Sequence, residues 1–219
     1  MELPIAQDYL LLTENITNRP VLRTRFTTQA YLVLATFLDL RQQKLITIDQ
    51  QHVTVPNQAR LAAALPVSLQ MIAQRLQAAL NQSDQTEDVF KLLVSWNLAN
   101  AVYDTIGPQL ERRQLVEKVI FQNNLMPHTI YVPTDAAKQA LSDQLGHEVQ
   151  TQTLTPAHRE LLVIFQQLEA LKWVLPSDQV TAATTQLTQD PATAQLRALT
   201  AMAAHRITMR KFELDSWLS

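Results

Sequence analysis

The chain has 219 residues, 18 Lys and Arg against 20 Asp and Glu for a net charge of −2, and 47% apolar residues. It is long enough to bury a core, and the balance excludes disorder throughout and a whole-surface binder of nucleic acid or membrane. No cysteine is present, which removes disulfides, thiolate metal sites and a cysteine nucleophile.

Gly107 and Gly146 are the only glycines. Phosphate-cradling loops and tight primed turns both need more. The scarcity predicts a mainly helical chain whose turns use Pro, Asn and Asp. In chain order, "IAQDYLLLTENI" predicts a short first helix and "NRPVLRTRF" a basic loop. The N-terminus lacks a basic segment followed by a long apolar one, so no signal peptide is expected. From Thr27 to Gln43, Tyr31, Leu34, Phe37 and Leu38 follow helical spacing, and only Thr36 and Asp39 are polar between Ala30 and Leu40. A helix apolar on all sides predicts a core element. At 11 residues, that apolar window is far short of a bilayer span.

"KLITIDQQHVTV" follows with two β-branched runs, a hairpin pattern. Residues 58–82 predict amphipathic helix split near Pro66, with Ser68 as an N-cap. "TEDVFKLLVSWNLANAVYDTIGP" predicts one helix capped by Thr86 and stopped by Gly107-Pro108. "QLERRQLVEKVIFQNNLM" is read as another helix and "HTIYVP" as a strand. Pro133-Thr134-Asp135 starts a helix to about Leu145, and Thr155-Pro156 opens the helix "AHRELLVIFQQLEALKWVL". Pro176-Ser177 and Asp190-Pro191 mark two more starts, the last helix reaching Trp217.

The five histidines form no i, i+4 pair and no HExxH, so no metal and no cofactor are expected. No nucleophile elbow or P-loop occurs either. Carboxylates are scattered, and no pair stands out for acid–base work. Local basicity remains: Arg19, Arg23, Arg25, Arg41 and Lys44 face only Asp39 between residues 19 and 44. Arg112 and Arg113 lie together, and Arg197, Arg206, Arg210 and Lys211 form a run without an acid. Arginine forks suit phosphate, although solvated surface charge is the common fate of such runs.

Four stretches, taken in order, carry a family likeness: "AQDYLLLTENITNRP", "AYLVLATFLDLRQQKLITID", "LERRQLVEKVIFQNNLM" and "TPAHRELLVIFQQLEALKWVLP". The chain resembles the Golgi phosphoprotein 3 family, whose eukaryotic members are peripheral proteins that bind phosphatidylinositol 4-phosphate and whose prokaryotic members are shorter. The resemblance implies a single domain over residues 1–219, a helical bundle ringed by amphipathic helices with short β-hairpins. It also implies a non-enzymatic protein, cytoplasmic or peripheral on the membrane, that binds anionic phosphoinositide-like headgroups and can act as an adaptor. Of the family's lipid ligands, Arg113 matches one Arg of a pair on a late helix, while Leu110 stands at the other with Arg112 adjacent. The family's Trp falls near Thr24 and another Arg position falls on Val33. Its long hairpin is expected to shrink to "MPHTIYVPT".

The expected site is therefore a lipid or phosphate patch of Arg23, Arg25, Arg112 and Arg113. The alternative is a helical protein-interaction module without lipid binding. No nucleic-acid partner is expected: "FLDLRQQKLITIDQQHVTV" spells helix–turn–hairpin, but the helix is too apolar to read a major groove.

Overall fold

The computed structural model describes residues 1–14, 25–122 and 127–217. Among them lie α1 (Pro4–Thr13), α2 (Arg25–Gln42), β1 (Thr47–Ile48), β2 (Val53–Thr54), α3 (Gln58–Ala64), α4 (Gln70–Leu80), α5 (Thr86–Val89) and α6 (Trp96–Arg112). Then come β3 (Val116–Gln122), β4 (Pro127–Pro133), α7 (Asp135–Thr151), α8 (Pro156–Gln167), α9 (Val180–Gln189) and α10 (Pro191–Trp217). The class is mainly α, with two antiparallel strand pairs, β1–β2 and β3–β4. No helix among the described residues is long and apolar enough to cross a membrane.

The all-apolar helix is the centre, as its pattern predicts. Every residue of α2 from Gln29 to Leu40 is buried, and the helix packs against α1, α6, α8 and α10. Between Ala30 and Leu40 the two polar residues are satisfied locally or put to use. Thr36 Oγ1 donates to Leu32 O at 2.9 Å. Asp39 accepts from the backbone N–H of Ile5 and Ala6, each at 3.0 Å, and so caps the first turn of α1, whose own N-cap Leu3 offers no side-chain acceptor.

The shortage of glycine is solved at helix ends rather than by Pro, Asn and Asp alone. Among the described residues, Lys44, Gln114, Gln152 and Glu169 are the non-glycine residues with positive φ, at 56°, 59°, 57° and 55°. Each sits just past a helix end and closes the same pair of bonds. For α6, Gln114 N donates to Glu111 O at 2.8 Å and Leu115 N to Leu110 O at 3.0 Å. The equivalents are Lys44 N to Arg41 O with Leu45 N to Leu40 O, Gln152 N to Val149 O with Thr153 N to Glu148 O, and Glu169 N to Gln166 O with Ala170 N to Phe165 O. This is the Schellman closure, which normally uses glycine at the left-handed residue.

Those closures correct several expectations. The predicted helix over 109–126 ends at Arg112, and residues 116–122 form β3 instead. The second hairpin is therefore not reduced. Its two seven-residue strands pair from Val116↔Pro133 to Gln122↔Pro127. Gly107-Pro108 does not stop α6: both lie inside it. Gly107 has no positive φ, and its role is spatial. A Cβ there would overlap the Tyr131 ring and lie 2.6 Å from its Cγ. The single helix expected over 86–108 is broken at Ser95 by 3-10 turns over 90–94. Ser68 is not an N-cap but lies within a 3-10 turn, where its Oγ accepts from Thr105 Oγ1 at 2.8 Å. Gly146 lies inside α7, which runs on to Thr151, and α8 stops at Gln167.

Candidate functional site

Helices α1 and α6 pair antiparallel along a seam. Near the N-terminus of α1, Gln7 Nε2 donates to Gln109 Oε1 at 3.0 Å, near the C-terminus of α6. Arg113, the C-cap of α6, joins them, its Nη1 donating to Gln7 Oε1 at 3.0 Å. At the other end of α1, Glu14 Oε1 lies 3.6 Å from Arg25 Nη1. The Arg25 guanidinium stands 5.7 Å from the centroid of the Tyr103 ring of α6. Arg25 and Arg113 thus both face the α1–α6 seam and both keep exposure to solvent. Arg112, also exposed, sits one residue before Arg113 and so points about 100° away around the helix axis. Arg23 lies outside the described residues.

Spacing along the seam decides what these cations can do. Gln7 and Glu14 are seven residues apart on α1, about 10 Å of helix rise. The contact points of the two guanidinium groups on α1 are thus farther apart than the oxygens of one phosphate. Arg25 is partly committed already. Burial raises the pKa of Glu14, and the charges of Arg25 and Lys138 draw it back toward the ionised form.

The β3–β4 hairpin begins three residues after Arg113 and is pinned to α6. Tyr131 N donates to Tyr103 Oη at 2.9 Å, and the two rings lie 5.6 Å apart at 52°. The Tyr131 ring occupies the space that Gly107 leaves open. Burial pushes the pKa of the Tyr103 hydroxyl up, so it stays protonated at neutral pH. Beyond this anchor Ile120 is 68% exposed on the outer part of β3.

No protein-family model and no curated protein matches the chain. The likeness to the Golgi phosphoprotein 3 family therefore rests on the residues quoted for it.

Composition and spacing gave no sign of a second polar cluster, which ties α1 to its neighbours. His158 Nδ1 lies 2.7 Å from Glu148 Oε2, and its Nε2 lies 3.5 Å from Asp8 Oδ2. Arg41 Nη2 donates to Glu160 Oε1 at 2.8 Å, so the arginine of the basic turn spends its charge inward. Burial pushes Asp39 up to about 8, Glu160 and Asp8 add to the rise, and the two backbone N–H bonds oppose it. Burial alone would lower His158, but its bonds and charge contacts with Asp8 and Glu148 raise it. For Glu148, burial is outweighed by bonds from His158, Thr155 N and Gln144, and the net shift is downward. Both imidazole nitrogens face carboxylates, which leaves neither to activate a hydroxyl. The arrangement reads as a clamp on α1.

Arg210 Nη1 donates to Glu213 Oε2 at 2.8 Å, while the Nε atoms of Arg197 and Arg206 are buried without partners.

Proposed function

We propose that the protein is a non-enzymatic peripheral protein that binds anionic membrane headgroups through Arg25, Arg112 and Arg113, with Arg23 as the fourth cation of the patch. The observation that carries this reading is the placement of Arg25 and Arg113 on one seam, beside a pinned hairpin with Ile120 exposed. Each exposed cation near an anionic surface contributes about 1 kcal/mol, and the attraction is screened over about 8 Å at physiological ionic strength. Ile120 would add a small apolar contact at the interface. With the partners of the two guanidinium groups, Gln7 and Glu14, about 10 Å apart along α1, the patch is expected to respond to the density of negative headgroups more than to one phosphoinositide.

Co-sedimentation with phosphatidylcholine vesicles, with and without an anionic lipid, tests the proposal over a salt series. Binding should require the anionic lipid and weaken steadily with salt. At matched surface charge, phosphatidylserine and phosphatidylinositol 4-phosphate should recruit the protein to within a few-fold of each other. Equal recruitment by neutral vesicles would refute it. The second reading, a helical protein-interaction module and possible adaptor surface, is favoured by Trp96, Trp173 and Phe212, which are 56%, 64% and 67% exposed.

A further inference from the structure

Arg25 and Arg113 meet the seam in different ways. Arg113 rests on a neutral acceptor, Gln7 Oε1 at 3.0 Å, so that contact leaves its positive charge in place. Arg25 faces a carboxylate. Glu14 Oε1 lies 3.6 Å from its Nη1, beyond hydrogen-bond distance, so the pair is a loose one. The Glu14 side chain is 13% exposed against 49% for Arg25. Among the described residues Arg25 is the one ion-pair partner of Glu14.

The Arg25 guanidinium is also held 5.7 Å from the centroid of the Tyr103 ring, and Tyr103 is fixed in turn by its bond from Tyr131 N. That contact orients Arg25 at the seam whether or not Glu14 is charged. Glu14 is then an internal competitor for a cation that a headgroup must reach. Phosphate oxygens make charge-assisted bonds to a guanidinium at about 2.7–2.9 Å, closer than Glu14 comes. Once they take Arg25, Glu14 is left largely buried without its ion-pair partner, where the neutral acid is favoured. From the elements packed against α1, the groups that act on Glu14 are Arg25 of α2, Lys138 of α7 and Tyr103 of α6, with Tyr9 on α1 itself. Lys138 is the remaining cation among them that favours the charge, and burial already raises the Glu14 pKa with Arg25 in place.

We propose that Glu14 gates the membrane patch: it holds Arg25 as an internal stand-in for a headgroup oxyanion, and a headgroup displaces it while Glu14 takes up a proton from solvent. The inference rests on the membrane reading above and adds its regulation. The bound form holds more protons than the free form, so binding tightens as pH falls until Glu14 is protonated in both. Arg113, on its neutral partner, has no such gate.

Co-sedimentation of the full chain on phosphatidylcholine vesicles containing phosphatidylglycerol, at about pH 7.5 and about pH 5.5, tests this. The phosphodiester of that lipid stays ionised throughout, so the surface charge of the vesicles is constant. Glu14→Gln, checked for folding by circular dichroism, should bind about fivefold tighter than the parent at the higher pH, the order of one ion pair no longer competing. The gain should shrink at the lower pH and vanish in an Arg25→Gln background. Glu117→Gln removes the same charge from an exposed position on β3 and reports the general effect of lost charge. Its gain should be nearly the same at both pH values and in both backgrounds. Three results would each overturn the gate: a folded Glu14→Gln variant that binds no tighter than the parent at the higher pH, a gain that persists undiminished at the lower pH, or a gain that is equal with and without Arg25. Each of these leaves the membrane reading standing, because the parent still binds. Failure of both the parent and Glu14→Gln to bind these vesicles at low salt would overturn the gate and the membrane reading together.

Discussion

Replacing Gly107 with alanine probes how the hairpin is held on α6. Alanine is the better helix former, and in an open helix interior Gly→Ala stabilises by about 1 kcal/mol. Gly107 is not in the open. Its missing Cβ is where the Tyr131 ring lies, and Cγ at 2.6 Å is too near the root of that side chain for rotation alone to relieve the clash. Tyr131 is also fixed by its backbone bond to Tyr103 Oη at 2.9 Å. The ring or the strand must move, and overpacking of this kind costs about 1–3 kcal/mol. The overpacking term wins, so Gly107→Ala should destabilise the protein by up to about 2 kcal/mol. In a Tyr131→Ala background the obstacle is gone, and the same substitution should stabilise by up to about 1 kcal/mol. Urea denaturation of the four proteins of this cycle measures both terms. An unchanged sign of the Gly107→Ala effect in the two backgrounds would refute the spatial role given to Gly107.

Two further expectations concern the helix ends and the buried cluster. Gln114→Gly should stabilise by about 0.5–1 kcal/mol. A left-handed residue with a Cβ costs about 1–2 kcal/mol, and glycine returns part of that as unfolded-chain entropy. A lower urea midpoint for this variant would contradict the assignment. With pH, Asp39 is an acid whose folded pKa, about 8, lies above its ordinary value. The folded state therefore holds more protons between about pH 4 and 8, and stability falls as pH rises through that window. His158, raised by its carboxylates, contributes stability that is full below its unfolded pKa and is lost as pH rises through its folded value. Melting temperature should drop by on the order of 5 °C between pH 5 and 9. Asp39→Asn should flatten most of the Asp39 part, and a melting temperature rising with pH would contradict the account.

The sequence disclosed the centre of the fold better than its corners. The unbroken apolar run of Ala30–Leu40 marked α2 as core, and the β-branched runs around Asp49 marked the first hairpin, where Asp49 Oδ1 accepts from Gln51 N and His52 N at 2.7 Å. Thr134 and Thr155 announced their helices and cap them, accepting from Ala137 N and His158 N, each at 3.2 Å. The end of α6 was hidden because its left-handed residue is Gln114 rather than glycine. A signal did exist. "LRQQKL" and "LERRQL" place leucines five apart around a polar turn, the pair that meets across a Schellman closure, and both helices end there. The site was harder to see. Position just before the apolar helix pointed to Arg25 and the family likeness to Arg113, and both face the α1–α6 seam. Arg41, counted with the same basic group, turns inward to Glu160, because a carboxylate 119 residues away cannot be paired with it by local spacing. The cluster around His158 draws on α1, α7 and α8 and leaves no local pattern.

The most direct measurement of the central claim is vesicle binding by the double charge reversal Arg25→Glu with Arg113→Glu. Both side chains are exposed, so the variant should fold and melt within a few degrees of the parent. Co-sedimentation on anionic vesicles at low salt should then show binding by the parent and none by the variant. Anionic-vesicle binding by the folded variant at the level of the parent would contradict the claim that this arginine seam is the membrane-facing surface.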